Sequence, residues 1–79
     1  MPSLEKLREQ INKIDNQLVE MLNRRAQVVV EIGKLKKKAG KPIYAPDREK
    51  EVFARISKSN KGPLADKCLI AIWRELMSG

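Results

Sequence analysis

Two cations interrupt an apolar helical pattern in the first half of this 79-residue sequence. The three-and-four spacing of the apolar residues, continued past Leu22, reaches Arg25 and, eleven residues later, Lys36. Eleven residues make close to three helical turns, so the two cations share one face about 16 Å apart along the axis. Because buried charges are costly unless they are paired or bind something, the spacing predicts either an anion site or a buried ion pair.

A later segment repeats the pattern with a carboxylate. Glu49 stands three and seven residues before Val52 and Ile56, which puts its side chain on the apolar face of a helix. Arg48 adjoins that face, and Arg8 lies at the edge of the cationic face in the first segment. Spacing alone favours a structural role as much as a site, since Arg25 could pair with Glu49 or extend its long side chain to water.

A pocket built from these residues would have a definite chemistry. It would offer fixed cations to a dianionic small molecule and one carboxylate to accept a hydrogen bond from a hydroxyl. The sequence has no histidine, and its single cysteine, Cys68, has no base to activate it, so covalent, histidine-based and metal chemistry are disfavoured. The site suits a reaction that needs only conformational restriction and stabilisation of shifting charge, such as the pericyclic rearrangement of a dicarboxylate.

The net charge of +7 is local rather than spread over the surface. Five lysines occupy one acid-free stretch of eight residues, and five fewer positive charges would leave +2. We expect most of this stretch to be a solvated face rather than a nucleic-acid surface, because aromatic residues make up only 4% of the chain. These lysines are Lys34, Lys36, Lys37, Lys38 and Lys41.

Three helices would position these residues, which predicts an all-α fold over a single domain, residues 1–79. The first helix begins after the N-cap residue Ser3 and ends near Gly40. Pro46 opens the second helix, residues 57–62 form a polar loop, and Pro63 opens the third helix.

The first helix is too long for a monomer of this size. About 36 residues give roughly 54 Å, whereas a compact chain of this length is about 30 Å across. An intertwined helical homodimer would cover its apolar stripe, and the rival explanation is a kink near Gly33. The longest apolar run is far shorter than the ~20 residues that span a membrane, and Glu5 argues against a signal peptide, so we expect a cytoplasmic protein with no membrane partner.

The sequence resembles a known family when these features are taken together. The resemblance covers nearly the whole chain, and its specificity comes from the Arg-to-Lys spacing of eleven followed by a Pro…Arg-Glu signature. The sequence resembles the all-helical (AroQ-class) chorismate mutase domain. The matching pattern is Leu7-Arg8-x-x-Ile11-x-x-Ile14-Asp15-x-x-Leu18-x-x-Met21-Leu22-x-x-Arg25, then Ile32-Gly33-x-x-Lys36, then Pro42-Ile43-Tyr44-x-Pro46-x-Arg48-Glu49.

The resemblance implies a homodimer that converts chorismate to prephenate without a cofactor. By position, Arg25 would bind one substrate carboxylate, and Arg8 of the other chain would also bind a carboxylate. Lys36 would donate to the ether oxygen as the C–O bond breaks. Glu49 would hold the ring hydroxyl, with Arg48 beside it.

Two departures from the family pattern affect the expected activity. Ala45 stands where many members have an Asp, which could cap the second helix. The family's last helix usually supplies a Ser and a Gln or Glu at positions that would fall beyond Gly79, so the helix looks cut short and we expect weakened activity. The alternatives are pyruvate elimination from isochorismate on the same scaffold, a non-catalytic regulatory module of a shikimate-pathway enzyme, and a basic nucleic-acid binder.

Overall fold

The fold is all-α. The computed structural model describes residues 3–42 and 46–78, and within these ranges it contains three helices and no strand. The helices are α1 (Leu4–Lys38), α2 (Pro46–Ser59) and α3 (Asp66–Ser78). They confirm the predicted class and the long N-terminal helix. None of these helices has the length and apolarity that a membrane span requires. Tyr44 and Ala45 lie outside the described residues.

The chain divides into two compact units, each of which is described by itself. The first unit is Met1–Ile43 and contains α1, whereas the second unit is Tyr44–Gly79 and contains α2 and α3. The expectation of one domain over residues 1–79 stays a prediction.

The N-terminus of α1 is capped as the sequence predicts. Ser3 has an extended backbone, and its Oγ accepts a hydrogen bond of 3.2 Å from the backbone N–H of Lys6. Glu5 in the first turn adds negative charge at the positive end of the helix dipole. From this cap the helix runs unbroken through Gly33 for 35 residues, or about 52 Å.

The C-terminus of α1 ends in a Schellman turn centred on a glycine. Gly40 has a φ of 69°, a left-handed conformation that glycine adopts without steric cost. The N–H of Gly40 donates to the carbonyl of Lys37 at 3.2 Å, and the N–H of Lys41 donates to that of Lys36 at 2.8 Å. The predicted end of the first helix at Gly40 is therefore confirmed, and the backbone of Lys41 is fixed beside the last turn.

The apolar residues of α1 are exposed to an unusual degree. Their exposed fractions run from 37% at Leu22 to 67% at Leu35, and none of the described residues of this helix is buried. A helix with an apolar stripe normally buries that stripe against a neighbour. The stripe of α1 is therefore a large apolar surface without cover in the isolated chain.

The second unit has a small core of its own. Val52 and Ile56 on α2 are 4% and 9% exposed, and they are joined by half-buried residues of α3. The guanidinium of Arg74 on α3 lies over the ring of Phe53 on α2, 5.8 Å from its centroid, in cation–π geometry. The half-buried residues of α3 are Leu69, Ile70, Trp73, Leu76 and Met77.

The connection between α2 and α3 corrects two predicted boundaries. The second helix continues to Ser59 rather than ending before residue 57, and the third begins at Asp66 rather than at Pro63. The side chain of Asn60 explains the difference, because it bonds to the loop on both sides. Its amide donates to the carbonyl of Leu64 at 2.8 Å and to the carboxylate of Asp66, while its oxygen accepts from the Gly62 N–H at 3.0 Å. The loop is thus a folded connection ordered by one asparagine.

Candidate functional site

Arg25 and Lys36 occupy one face of α1, as the sequence predicts. A continuous helix carries both residues, and their separation of eleven positions places them about three turns and 16 Å apart. Both are half-buried, although the leucines, isoleucines and valines of the same helix are exposed. Two cations are thus more shielded from water than the apolar residues around them.

Three charged residues differ from all the others in their burial. All 17 basic and 10 acidic residues of the sequence lie in the described ranges. Every one of these side chains is exposed except Arg25, Lys36 and Glu49, which are half-buried. Placing a charge out of water is unfavourable, so the three positions are the ones where the fold accepts that cost. All three were predicted from the periodicity of the sequence.

Lys36 lies in the last turn of α1, where its backbone takes part in the Schellman turn. Its carbonyl accepts the hydrogen bond from the Lys41 N–H, so the Cα position of this lysine is fixed by the helix cap. The C-terminal end of a helix carries roughly half a negative charge, which favours cations in the last turn. This local chemistry explains why a lysine is stable at this position.

Arg48 and Glu49 lie in the first turn of α2, immediately after its first residue, Pro46. Glu49 is half-buried, whereas Arg48 is exposed. Arg48 is held by an ion pair in which its Nη1 lies 3.3 Å from Oε2 of Glu51, one turn further along the helix. Glu51 was missed in the sequence analysis, although its spacing of three from Arg48 is the standard spacing of a helical ion pair.

Arg8 is placed far from the other cations of its own helix. It is exposed, and seventeen residues of helix separate it from Arg25, which corresponds to about 25 Å along the axis. A small molecule bound at Arg25 is therefore out of reach of Arg8 within one α1. The structure thus places Arg25 and Lys36 three turns apart on α1, and it places Arg8 far from both. Arg48 and Glu49 are neighbours in the first turn of α2.

The chemistry available from these residues is ionic and hydrogen-bonding. No group of three or more Cys, Asp or Glu side chains in the described ranges is arranged to hold a metal ion. Cys68 is exposed at the start of α3. Guanidinium and ammonium groups are able to bind carboxylates, and a carboxylate is able to accept a hydrogen bond from a hydroxyl.

Comparisons with known proteins agree with one another. The sequence model of the family described as chorismate mutase type II matches residues 7–79. The bifunctional chorismate mutase/prephenate dehydratase of Aquifex aeolicus is 39% identical over 99% of this chain, which covers 23% of that relative. The chorismate mutase of Methanocaldococcus jannaschii is 33% identical over 55 residues, covering 70% of this chain and 56% of that protein.

A solved structure extends the likeness to the fold. The chorismate mutase of Thermus thermophilus superimposes with a TM-score of 0.92 at 29% sequence identity, covering 95% of this chain and 94% of that one. The chain spans less than a quarter of the length of the bifunctional relatives that it matches. With the family model matched from residue 7 to residue 79, the chain belongs to the type II chorismate mutase family.

Proposed function

We propose that this chain catalyses the rearrangement of chorismate to prephenate. The observation that carries the proposal is the selective shielding of Arg25, Lys36 and Glu49 among all the charged side chains of the sequence. The match to the family model and the name of the Thermus protein of the same fold support it. The proposed substrate is a small dianion, and no cofactor, nucleic acid or membrane takes part.

The rearrangement makes few chemical demands on the protein. One ether C–O bond breaks and one C–C bond forms within a single molecule, while no group leaves and no proton is transferred. The barrier falls when the flexible side chain of the substrate is held over the ring and when the charge that shifts toward the ether oxygen is stabilised. Fixed cations and hydrogen-bond donors accomplish both, so neither histidine nor a nucleophile is needed.

The two cations of α1 have separate roles in this proposal. Arg25 binds one carboxylate of the substrate through its planar guanidinium, which suits bidentate contact. Lys36 donates a hydrogen bond to the ether oxygen, where negative charge grows as the C–O bond breaks. That bond is stronger in the transition state than in the ground state, which is the requirement for a catalytic contact.

The first turn of α2 contributes the remaining contacts from this chain. Glu49 accepts a hydrogen bond from the ring hydroxyl of the substrate, and Arg48 binds beside it. Arg48 keeps 62% of its side chain exposed in its ion pair with Glu51, so its guanidinium stays accessible to a ligand.

The active protein in this proposal is an intertwined homodimer whose site takes Arg8 from the second chain. The distance of about 25 Å along α1 between Arg8 and Arg25 supports this, because one small substrate cannot bridge them within a single helix. The exposed apolar stripe of α1 supplies the surface that a second copy would cover. A single domain over residues 1–79 and a cytoplasmic location complete the proposal, the latter favoured by a lone free cysteine.

Chorismate kinetics on Lys36→Ala test the proposed function. Loss of the donor to the ether oxygen should lower kcat by about 10²–10³-fold, the usual effect of removing one donor from a developing oxyanion. Lys13→Ala, on the polar side of the same helix, is the matched control and should keep wild-type kcat. Size-exclusion chromatography and circular dichroism of both variants should be unchanged.

Three outcomes would contradict the assignment. Wild-type protein that does not accelerate the loss of chorismate would overturn the activity itself. Equal kcat in Lys36→Ala and wild type would remove Lys36 from the site. Faster release of pyruvate from isochorismate than conversion of chorismate would assign the sister reaction instead.

A further inference from the structure

We propose that four lysines around the end of α1 act together as an electrostatic guide that draws the dianionic substrate toward Lys36. The inference rests on the proposed function and adds residues that do not contact the substrate. We call this set the lysine cluster: Lys34, Lys37, Lys38 and Lys41.

The need for such a cluster follows from where Lys36 lies. The last turn of a 35-residue helix lies at the negative end of the helix dipole, which is equivalent to roughly half a negative charge. Anion sites in proteins favour the opposite end of a helix, where the N–H groups point outward. A dianion that approaches Lys36 therefore enters an unfavourable field unless extra positive charge reverses it.

The lysine cluster provides that reversal, because only one of its four members has an ion-pair partner among the described residues. Lys34 has a weak, exposed ion pair, with its Nζ 3.7 Å from Oε1 of Glu31. Across residues 3–42 and 46–78, no carboxylate lies within ion-pair distance of Lys37, Lys38 or Lys41. The sequence contains no acid between Glu31 and Asp47. All four side chains are exposed, so their charge acts on molecules in solution.

The favourable interaction of cations with the helix dipole explains only some of the four lysines in the cluster. One or two cations in the last turn satisfy the dipole, and Lys37 and Lys38 lie there beside Lys36. Lys34 lies one turn earlier, and Lys41 lies beyond the helix, held by the Schellman turn. Neither position is needed by the dipole, whose effect falls off within the last turn, but both add to the field around Lys36.

The size of the effect follows from Coulomb's law with salt screening. For this calculation we take the width of a helix with side chains, about 12 Å, as the distance between a cluster ammonium group and a substrate at Lys36. At 10 mM salt, removing two such charges should weaken the association of a dianion about fivefold. At 0.15 M salt the same change should be less than about twofold.

The test compares the double variant Lys37→Gln/Lys38→Gln with Lys58→Gln/Lys61→Gln. Both remove two exposed lysines, and Lys58 lies nine residues along α2 from Glu49, about 14 Å away. We expect KM for chorismate to rise about fivefold at 10 mM salt in the first variant, with kcat unchanged, and to converge on the wild-type value above 0.3 M salt. The control lysines lie farther from the site, so by the same arithmetic KM should rise only about threefold at 10 mM salt and should not change above 0.3 M salt.

A binding measurement keeps the inference independent of turnover. Calorimetric titration with prephenate, also a dianion, at 10 mM and 0.15 M salt should show the same fivefold and less than twofold weakening, even if wild type proves inactive. Equal binding by wild type and Lys37→Gln/Lys38→Gln at 10 mM salt would overturn the inference, as would a fall in kcat or a loss that salt does not abolish. Duplex DNA binding that disappears in this variant while prephenate binding is unchanged would also overturn it.

Discussion

The two units of this chain treat their apolar residues in opposite ways. In the α2–α3 unit, Val52 and Ile56 are removed from water by a neighbouring helix, and an arginine covers Phe53. In α1 the apolar stripe remains exposed along the whole length of the helix. Since helices in proteins gain most of their stability from packing an apolar face, the exposed stripe leaves α1 without that source of stability among the described residues.

The two regions differ in where their packing partners come from. In the α2–α3 hairpin, the two helices are joined by a short loop and pack against each other. The first helix carries a surface whose partner is, in our proposal, another copy of the same sequence. Substitutions made separately in the two regions will show whether the stability of each region depends on a different packing partner.

A charge in the α1 stripe should have the largest effect. Ile11→Glu places a carboxylate at a position that we expect a second chain to cover, at a cost of about 3–5 kcal/mol in unfolding free energy. Sedimentation should show dissociation, and far-UV circular dichroism should show loss of helix at micromolar concentration. Asn16→Glu adds the same charge on the polar side and should leave both measurements unchanged. A stable Ile11→Glu dimer would contradict the proposed interface.

Removing core volume from the hairpin should have a somewhat smaller effect that does not depend on association. Ile56→Ala deletes buried methyl and methylene groups and should lower the unfolding free energy by about 2–4 kcal/mol. Arg55→Ala, at the exposed neighbouring position, is the control and should change it by less than about 0.5 kcal/mol. If Ile56→Ala is as stable as the control in urea titrations, the hairpin has no core of its own.

Two asparagines sharpen the comparison at a smaller scale. Asn60→Ala removes the side chain that orders the α2–α3 loop and should cost about 1–2 kcal/mol. Asn23 on α1 also donates to a backbone carbonyl, that of Val19 at 2.9 Å, but on an exposed helical surface. Asn23→Ala should therefore be neutral or slightly stabilising, because alanine has the higher helix propensity. An equal decrease in unfolding free energy in the two variants would mean that the loop hydrogen bonds of Asn60 stabilise the protein no more than the exposed bond of Asn23.

Local chemistry explains which parts of the fold were predictable from sequence. The cap at Ser3, the stop at Gly40 and the start at Pro46 each depend on the conformational preference or bonding of one residue, so they could be predicted. The last residue of α2, Ser59, and the first residue of α3, Asp66, could not be predicted in the same way. They depend on one side chain that bonds to several loop positions, which periodicity does not reveal.

The residues of the candidate site also fall into two groups, those that periodicity could predict and those that it could not. Arg25, Lys36 and Glu49 were predictable because each interrupts an apolar helical face, and the structure leaves these three charges half-buried. The exposed residues Arg8 and Arg48 entered through their position beside such a face and through the family resemblance. Periodicity alone could not assign them, because both side chains are exposed and neither interrupts an apolar helical face.

The smallest predicted effect concerns Gly33, which lies in α1 between the two shielded cations. A Cβ at this position would meet nothing within 4 Å in this chain, and glycine is a poor helix former. Gly33→Ala should therefore raise the unfolding free energy by about 0.5–1 kcal/mol, and Ala26→Gly on the same helix should lower it by a similar amount. Thermal denaturation at two protein concentrations measures both. Should Gly33→Ala instead weaken the dimer while Ala26→Gly behaves as expected, the glycine is where the backbone of a second chain approaches α1.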